Sequence, residues 1–271
     1  MRHATMRPLL ATALAAALLF GTVACGDDDD EGGSGSNGGG GATEAEGGTL
    51  TVCSDIPYAP MEFEGEGPRG LQYTGFDIEL LDAMAENLGN TLEVIDSDFD
   101  GILGNLSAGT CDVVGSSLTI TEERQQEVDF TEPYFDADQS LLVKTDGDAA
   151  GLEDLAGETI GVQAGTTGET YANENAPDGA EVKSFPDTDG LFGALESGDI
   201  AGVLQDLPVN AGRVAEDDSV EVVETFPTDE QYGFAVEKGS DLKAELDEAL
   251  AAVRESGTYD ELYEKYFPTA E

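Results

Sequence analysis

Residues 112–124 read Asp-Val-Val-Gly-Ser-Ser-Leu-Thr-Ile-Thr-Glu-Glu-Arg. The apolar run inside Asp112–Ser116 predicts a strand, the polar stretch after it a turn, and Thr121–Val128 a helix carrying Arg124. Strand, polar turn and helix in that order form the repeating unit of an α/β fold. The unit recurs along the chain. Strands are expected at Leu50–Ser54, Leu92–Ile95, Ser140–Lys144, Thr159–Gln163, Glu181–Ser184, Ile200–Leu204 and Gly233–Val236. Amphipathic stretches lie between them. Over Phe76–Leu88, the residues Ile78, Leu81, Met84, Ala85 and Leu88 share one helical face, with Gly89 as the stop. Over Asp241–Glu255 the stripe is Leu242, Leu246, Ala249, Leu250 and Val253, and a short last helix carries Leu262 and Tyr266. A chain of 271 residues has material for two such domains.

The first fifty residues follow other rules. Arg2 and Arg7 precede an apolar run from Leu9 to Phe20 and small residues ending at Cys25. That pattern reads as a signal peptide over 1–24, too short to span a bilayer, which takes about 20 apolar residues. Thr22-Val23-Ala24-Cys25 resembles the lipobox of bacterial lipoproteins, with Thr22 where Leu is usual, which implies lipidation at Cys25. Residues 25–48 hold Asp27–Asp30 and then Gly, Ser, Glu and Ala, a tether unable to bury enough surface to order itself. The acidic run lacks the spaced ligands and rigid turn of a calcium loop.

Composition excludes several classes of function. With 11 basic and 58 acidic residues the net charge is −47, and loss of Arg2 and Arg7 with the leader makes it more negative. Nucleic acid, whose phosphates demand Lys and Arg, is excluded. Such a charge suits a medium salty enough to screen it. The one histidine, His3, sits in the leader, so no Ser-His-Asp or Cys-His catalytic arrangement can form in the mature chain. Three cysteines, one of them Cys25, are too few for a Cys-rich zinc site. No metal and no cofactor are expected. Cys53 and Cys111 are a pair in an exported chain, which favours a disulfide, but one falls near a strand end and the other near a strand start. Both a bridge and two free thiols fit.

Open α/β sheets bind ligands at the carboxyl ends of their strands. Five such ends carry polar residues: Ser54-Asp55-Ile56-Pro57-Tyr58, Asp98-Phe99, Ser116 to Arg124, Gln163 to Gly168, and Gln205-Asp206. Together with Gly75-Phe76-Asp77-Ile78 and Asp129-Phe130-Thr131, these motifs resemble, in order and spacing, the family 3 bacterial extracellular solute-binding proteins that serve amino-acid ABC transporters. The resemblance spans about residues 49 to 268 and is nearest to the histidine and lysine/arginine/ornithine binding proteins. It implies a two-lobed periplasmic-binding-protein-like fold of type II, each lobe a mostly parallel sheet flanked by helices. Residues 49–140 and 233–271 would form lobe one and 141–232 lobe two, with hinge strands near Leu141–Lys144 and Gln231–Val236.

Carried over residue by residue, the resemblance implies that Arg124 grips the α-carboxylate of a free amino acid with Thr119 and Thr167, while Asp206 accepts from the α-ammonium. A planar guanidinium matches a carboxylate in a way Lys cannot. Thr121 is placed to cap the helix of Arg124, and Thr166 or Thr167 the next lobe's helix. Tyr58 and Phe99 would sandwich the ligand side chain, with Asp55 and Ser116 toward its far end, and Ser117, Gln163 and Thr166 are further ligand-binding positions, Gln163 standing where some relatives have a Lys facing an acidic or amide ligand. An aromatic pair beside Asp55 suits lysine, arginine, ornithine or histidine, although relatives that bind glutamine also keep an Asp there. The implied partners are an ABC permease with its ATPase and, through the lipid anchor, the outer face of the cell membrane; a monomer is expected. Two other classes share the fold: enzymes such as cyclohexadienyl dehydratases, for which Asp55 and Glu122 are the available acids, and amino-acid sensing domains.

Overall fold

A computed structural model describes residues 47–268; the leader, Cys25, most of the tether and the last three residues lie outside them. The chain begins with β1 (Thr49–Ser54), the short pair β2 (Phe63–Glu64) and β3 (Tyr73–Thr74), α1 (Phe76–Asn87), β4 (Thr91–Asp96), α2 (Ile102–Ser107), β5 (Val113–Val114), α3 (Arg124–Glu127) and β6 (Val128–Phe130). It crosses through β7 (Phe135–Asp136) into β8 (Gln139–Lys144), β9 (Thr159–Gln163), α4 (Thr167–Asn175), β10 (Glu181–Phe185), α5 (Thr188–Ser197), β11 (Gly202–Asp206), α6 (Leu207–Glu216) and β12 (Val220–Phe226). It returns through β13 (Gln231–Tyr232) to β14 (Ala235–Glu237), α7 (Leu242–Ser256) and α8 (Thr258–Tyr266).

Two five-stranded sheets result, ordered β4-β1-β5-β14-β6 and β10-β9-β11-β8-β12. Each has three parallel strands at one side, joined to antiparallel ones: β14 runs against β5 and β6, and β8 against β11 and β12. The sheets are therefore mixed. Both faces of each sheet are covered, so adjacent strand residues are buried in opposite directions. Val52 and Val113 pack under α1 and α7, while Cys53 and Val114 face the α2 side. In the second sheet Leu141 and Val143 go one way and Leu142 the other. The predicted stripes of α1 and α7 do the covering, with Ile78, Leu81, Met84 and Ala85 buried on one and Leu246, Ala249, Leu250 and Val253 on the other.

The differences from expectation have local causes. Leu141–Lys144 does not bridge the lobes: it pairs along both edges within the second sheet, where its apolar run is sealed. The paired segments between the sheets are β7 and β13, two residues each. The helix expected over Thr121–Val128 is one turn, Arg124–Glu127, because Val128 is buried as the first residue of β6. β11 starts two residues later than predicted and ends on Asp206. β12 was not foreseen; a register shift between Val222 and Glu224 interrupts its alternation. Cys53 and Cys111 form a disulfide with Cα atoms 5.7 Å apart, tying β1 to the segment before β5.

Candidate functional site

The eleven residues predicted to touch ligand line one narrow cavity: Asp55, Tyr58, Phe99, Ser116, Ser117, Thr119, Arg124, Gln163, Thr166, Thr167 and Asp206. They arrive on the carboxyl ends of β1, β4, β5, β9 and β11, as the strand-end rule requires. Glu62 is a twelfth lining residue that sequence reasoning missed.

Asp55 follows β1, and its N–H donates to Ser116 Oγ at 2.9 Å. Its Oδ2 accepts from Gln163 Nε2 at 2.6 Å, a bond across the cleft to the second lobe. The chain then turns so that Tyr58 N–H meets the Glu62 carbonyl at 2.6 Å. This turn swings the Glu62 side chain inward, where Oε1 and Oε2 accept from Ser116 Oγ and Ser117 Oγ, both at 3.2 Å. Gly75 holds the turn from behind: at φ +119° a Cβ there would meet the Met61 carbonyl at 2.2 Å. Ser117, at φ +48°, aims its N–H at Asp77 Oδ2 (2.8 Å), which also accepts from Tyr134 at 2.6 Å. Asp77 Oδ1 is buried with no partner among the described residues.

Asp55, Glu62 and Asp77 are thus linked through Ser116 and Ser117, and no cation among the described residues bonds to any of them. Burial raises Asp55 to about 6 against the help of Gln163, and raises Asp77 to about 7. Burial, reinforced by the charges of Asp77 and Asp55, holds Glu62 well above the usual carboxylate range. Carboxyls so displaced lower their energy by taking up a proton or by meeting a cation.

Arg124 and Asp206 form the other functional group. Thr121 Oγ1 accepts from Arg124 N–H at 3.1 Å, but it holds the turn before α3 and is not its N-cap, which is Glu123. The guanidinium donates to the Thr119 carbonyl at 2.8 Å and, across the cleft, to the Gly165 carbonyl at 3.0 Å, and lies 5.4 Å from the centroid of Phe99. Burial lowers its pKa, while Asp206 and Glu230 oppose the shift. α3 is too short to offer a helix dipole, so that role falls to α4, whose start is capped by Thr166 Oγ1 accepting from Glu169 N–H at 3.0 Å. Thr119 and Thr167 hydroxyls face each other at 3.3 Å.

Asp206 ends β11 just before α6, yet its side chain caps no helix N–H. It accepts instead from Gln139 Nε2 at 2.5 Å and from the Tyr232 hydroxyl. Burial raises its carboxyl to about 6. Gln139 also donates to Glu230, which accepts from Thr167 at 2.8 Å, so hinge residues brace the ligand-facing groups. Of the two acids weighed for catalysis, Asp55 lines the cavity and Glu122 is exposed and does not. Among the described residues no cluster of His, Cys, Asp and Glu is disposed to hold a metal ion.

The Arg124 guanidinium and the Asp206 carboxyl thus line one cavity with the rings of Tyr58 and Phe99, at the strand ends of both sheets. The model of bacterial extracellular solute-binding proteins, family 3, matches residues 50–269. The chain belongs to this family. It is 33% identical to the Histidine-binding periplasmic protein of Escherichia coli (strain K12), over 80% of this chain and 87% of that one. The arginine-, lysine-, histidine-binding protein ArtJ from Geobacillus stearothermophilus superposes with a TM-score of 0.75 at 35% identity, covering 82% of this chain and 96% of that chain. An ancestral arginine-binding protein bound to arginine gives 0.74 at 38%, covering 81% and 98%. The family member described here is an extracytoplasmic solute-binding protein. No helix among the described residues is long and apolar enough to cross a membrane.

Proposed function

We propose that this protein captures a free L-amino acid with a cationic side chain (arginine, lysine, ornithine or histidine) and delivers it to the permease of an ABC importer. The observation that carries the reading is the buried pair Asp55 and Glu62, lining the cavity with no cation bonded to either. Arg124 and Thr167 would take the α-carboxylate, Asp206 the α-ammonium, and Tyr58 and Phe99 the side chain. A guanidinium or ammonium at Asp55 and Glu62 would supply the missing counter-charge. Relatives whose names specify histidine, or arginine, lysine and histidine, support the same class. Lobe one, residues 49–140 and 233–271, would dock the ligand first, and lobe two, 141–232, would close over it about the β7–β13 ribbon. The mature chain would act as a monomer tethered through lipidated Cys25.

A thermal-shift panel of the twenty amino acids with ornithine and citrulline tests this. A ligand at 100 times its Kd stabilises by about 2.7 kcal/mol. The four cationic amino acids should raise Tm most, and a panel led by glutamate or a neutral amino acid would overturn the assignment.

The raised carboxyls also fix a pH dependence. In the empty site Asp55 and Asp206 hold protons up to about pH 6 and Asp77 to about pH 7, with Glu62 higher than usual. A bound cation favours the ionised forms, so binding releases protons. Affinity therefore falls as pH drops through about 7 to 5, and Glu62, held higher still, extends the fall to the alkaline side of that window. Arginine stays charged throughout, and for each proton released its Kd should weaken by up to about tenfold per pH unit. Calorimetry in buffers of different ionisation enthalpy counts those protons; a flat Kd between pH 8 and 5 refutes the linkage.

A further inference from the structure

The loop Ile56–Pro60 carries Tyr58 into the cavity, but its outer side touches the second lobe at residues that no ligand would reach. Thr188, the first residue of α5, is buried, and its hydroxyl donates to the Pro57 carbonyl at 2.7 Å. Gly212, in the interior of α6, lies so close to the loop that a Cβ would sit 2.8 Å from Pro60 Cδ and 3.4 Å from the Ala59 carbonyl. Val209 of α6 is buried in the same apolar cluster as Tyr58 and Met61, and Phe192 of α5 packs against that cluster. Pro57, Pro60, Thr188, Val209 and Gly212 are all absent from the cavity wall.

Glycine within a helix lowers its stability by about 1 kcal/mol relative to alanine, and unlike the helical Gly104 and Gly193, which have open space around them, Gly212 has a packing reason. Here the reason is the neighbouring loop of the other lobe. A buried hydroxyl donating across the lobes has a similar meaning, since parting the lobes forfeits a hydrogen bond formed nowhere else by that group.

We propose that Thr188 and Gly212 are positioning residues that form a closure latch: they seat α5 and α6 on the Pro57–Pro60 loop and so set how long a captured amino acid is retained. The latch rests on the hinged-capture reading but not on which amino acid is bound. Because it touches the loop and not the ligand, it changes the rate of escape and leaves selectivity alone.

Stopped-flow displacement of bound arginine from the full chain tests it. Thr188→Val should speed dissociation about three- to tenfold, the range of one net hydrogen bond, and Thr188→Ser should restore the wild-type rate. Gly212→Ala should speed it at least tenfold, since neither the proline ring nor the helix backbone yields easily. The ratios of affinity among arginine, lysine and histidine should stay within twofold. The ligand-free Tm of Gly212→Ala should not fall, because alanine favours the helix once the lobes part, whereas a merely structural glycine would lower it. Unchanged dissociation in both Thr188→Val and Gly212→Ala overturns the latch. If the wild type binds no cationic amino acid, the functional reading fails instead, and the same displacement experiment with whichever amino acid leads the thermal-shift panel decides the latch: faster escape from Thr188→Val and Gly212→Ala sustains it, and unchanged escape from both overturns it.

Discussion

Arg124→Ala should reduce arginine binding by at least a hundredfold while leaving the fold intact. Arg124 is the single cationic side chain lining the cavity, among carboxylates Asp55, Glu62 and Asp206. A ligand carboxylate entering a site so negative has one source of charge balance, and without it the carboxylate is buried beside three acids. Removing one partner of a buried ion pair costs about 3–5 kcal/mol, a loss of about 150- to 5000-fold. The fold should survive, because the guanidinium bonds only to the Thr119 and Gly165 carbonyls and stacks on Phe99. Arg124→Lys keeps the charge and loses the planar fork, so it should fall between the two. Titration calorimetry with arginine, paired with a circular-dichroism melt, separates lost binding from lost structure. Binding within tenfold of wild type in Arg124→Ala would remove Arg124 as the anchor.

Most of this site could be read from the sequence because it obeys a topological rule. Strand ends converge wherever parallel strands share a sheet, so residues that follow apolar runs meet even when they are far apart in the chain, as Asp55 after β1 and Ser116 after β5 do. Side chains that arrive by other routes were hidden. Glu62 lies between Met61 and Phe63, and in an extended reading an acid between two apolar residues faces solvent; only the Tyr58–Glu62 turn sends it inward. Gln139, Glu230 and Tyr232 support Asp206 and Thr167 from the segments around the lobe crossing. That crossing is a ribbon of two-residue strands, too short to leave a periodic signal. The hinge that the resemblance implied at Leu141–Lys144 falls on an apolar run that seals the second sheet. In α3 the helical reading ran one residue too far and began three too early, since a turn held by Thr121 looks, by composition, like a helix start.

The two carboxylates at the far side of the cavity make the sharper test of ligand class. Replacing both, as Asp55→Asn with Glu62→Gln, keeps the volumes and the serine contacts while removing the negative charge. Arginine or lysine would then bury a cation with no counter-charge, and its affinity should fall by about 150- to 5000-fold. Glutamine, which needs no counter-charge, should change by less than tenfold, so the preference for arginine over glutamine collapses. Stability should move the other way. Asp55, raised to about 6, and Glu62, raised by burial and its neighbours, are held above their unfolded values. A group raised in this way stabilises the fold below its unfolded pKa and loses that contribution as pH rises through the folded one. At pH 8 the empty wild-type protein is therefore destabilised by these raised carboxyls, a penalty that the amides remove, and the double variant should melt higher without ligand. The wild type recovers the difference only when a cation binds. A double variant that still prefers arginine, or that melts lower than wild type at pH 8, would mean that Asp55 and Glu62 hold the loop in place and do not select the ligand.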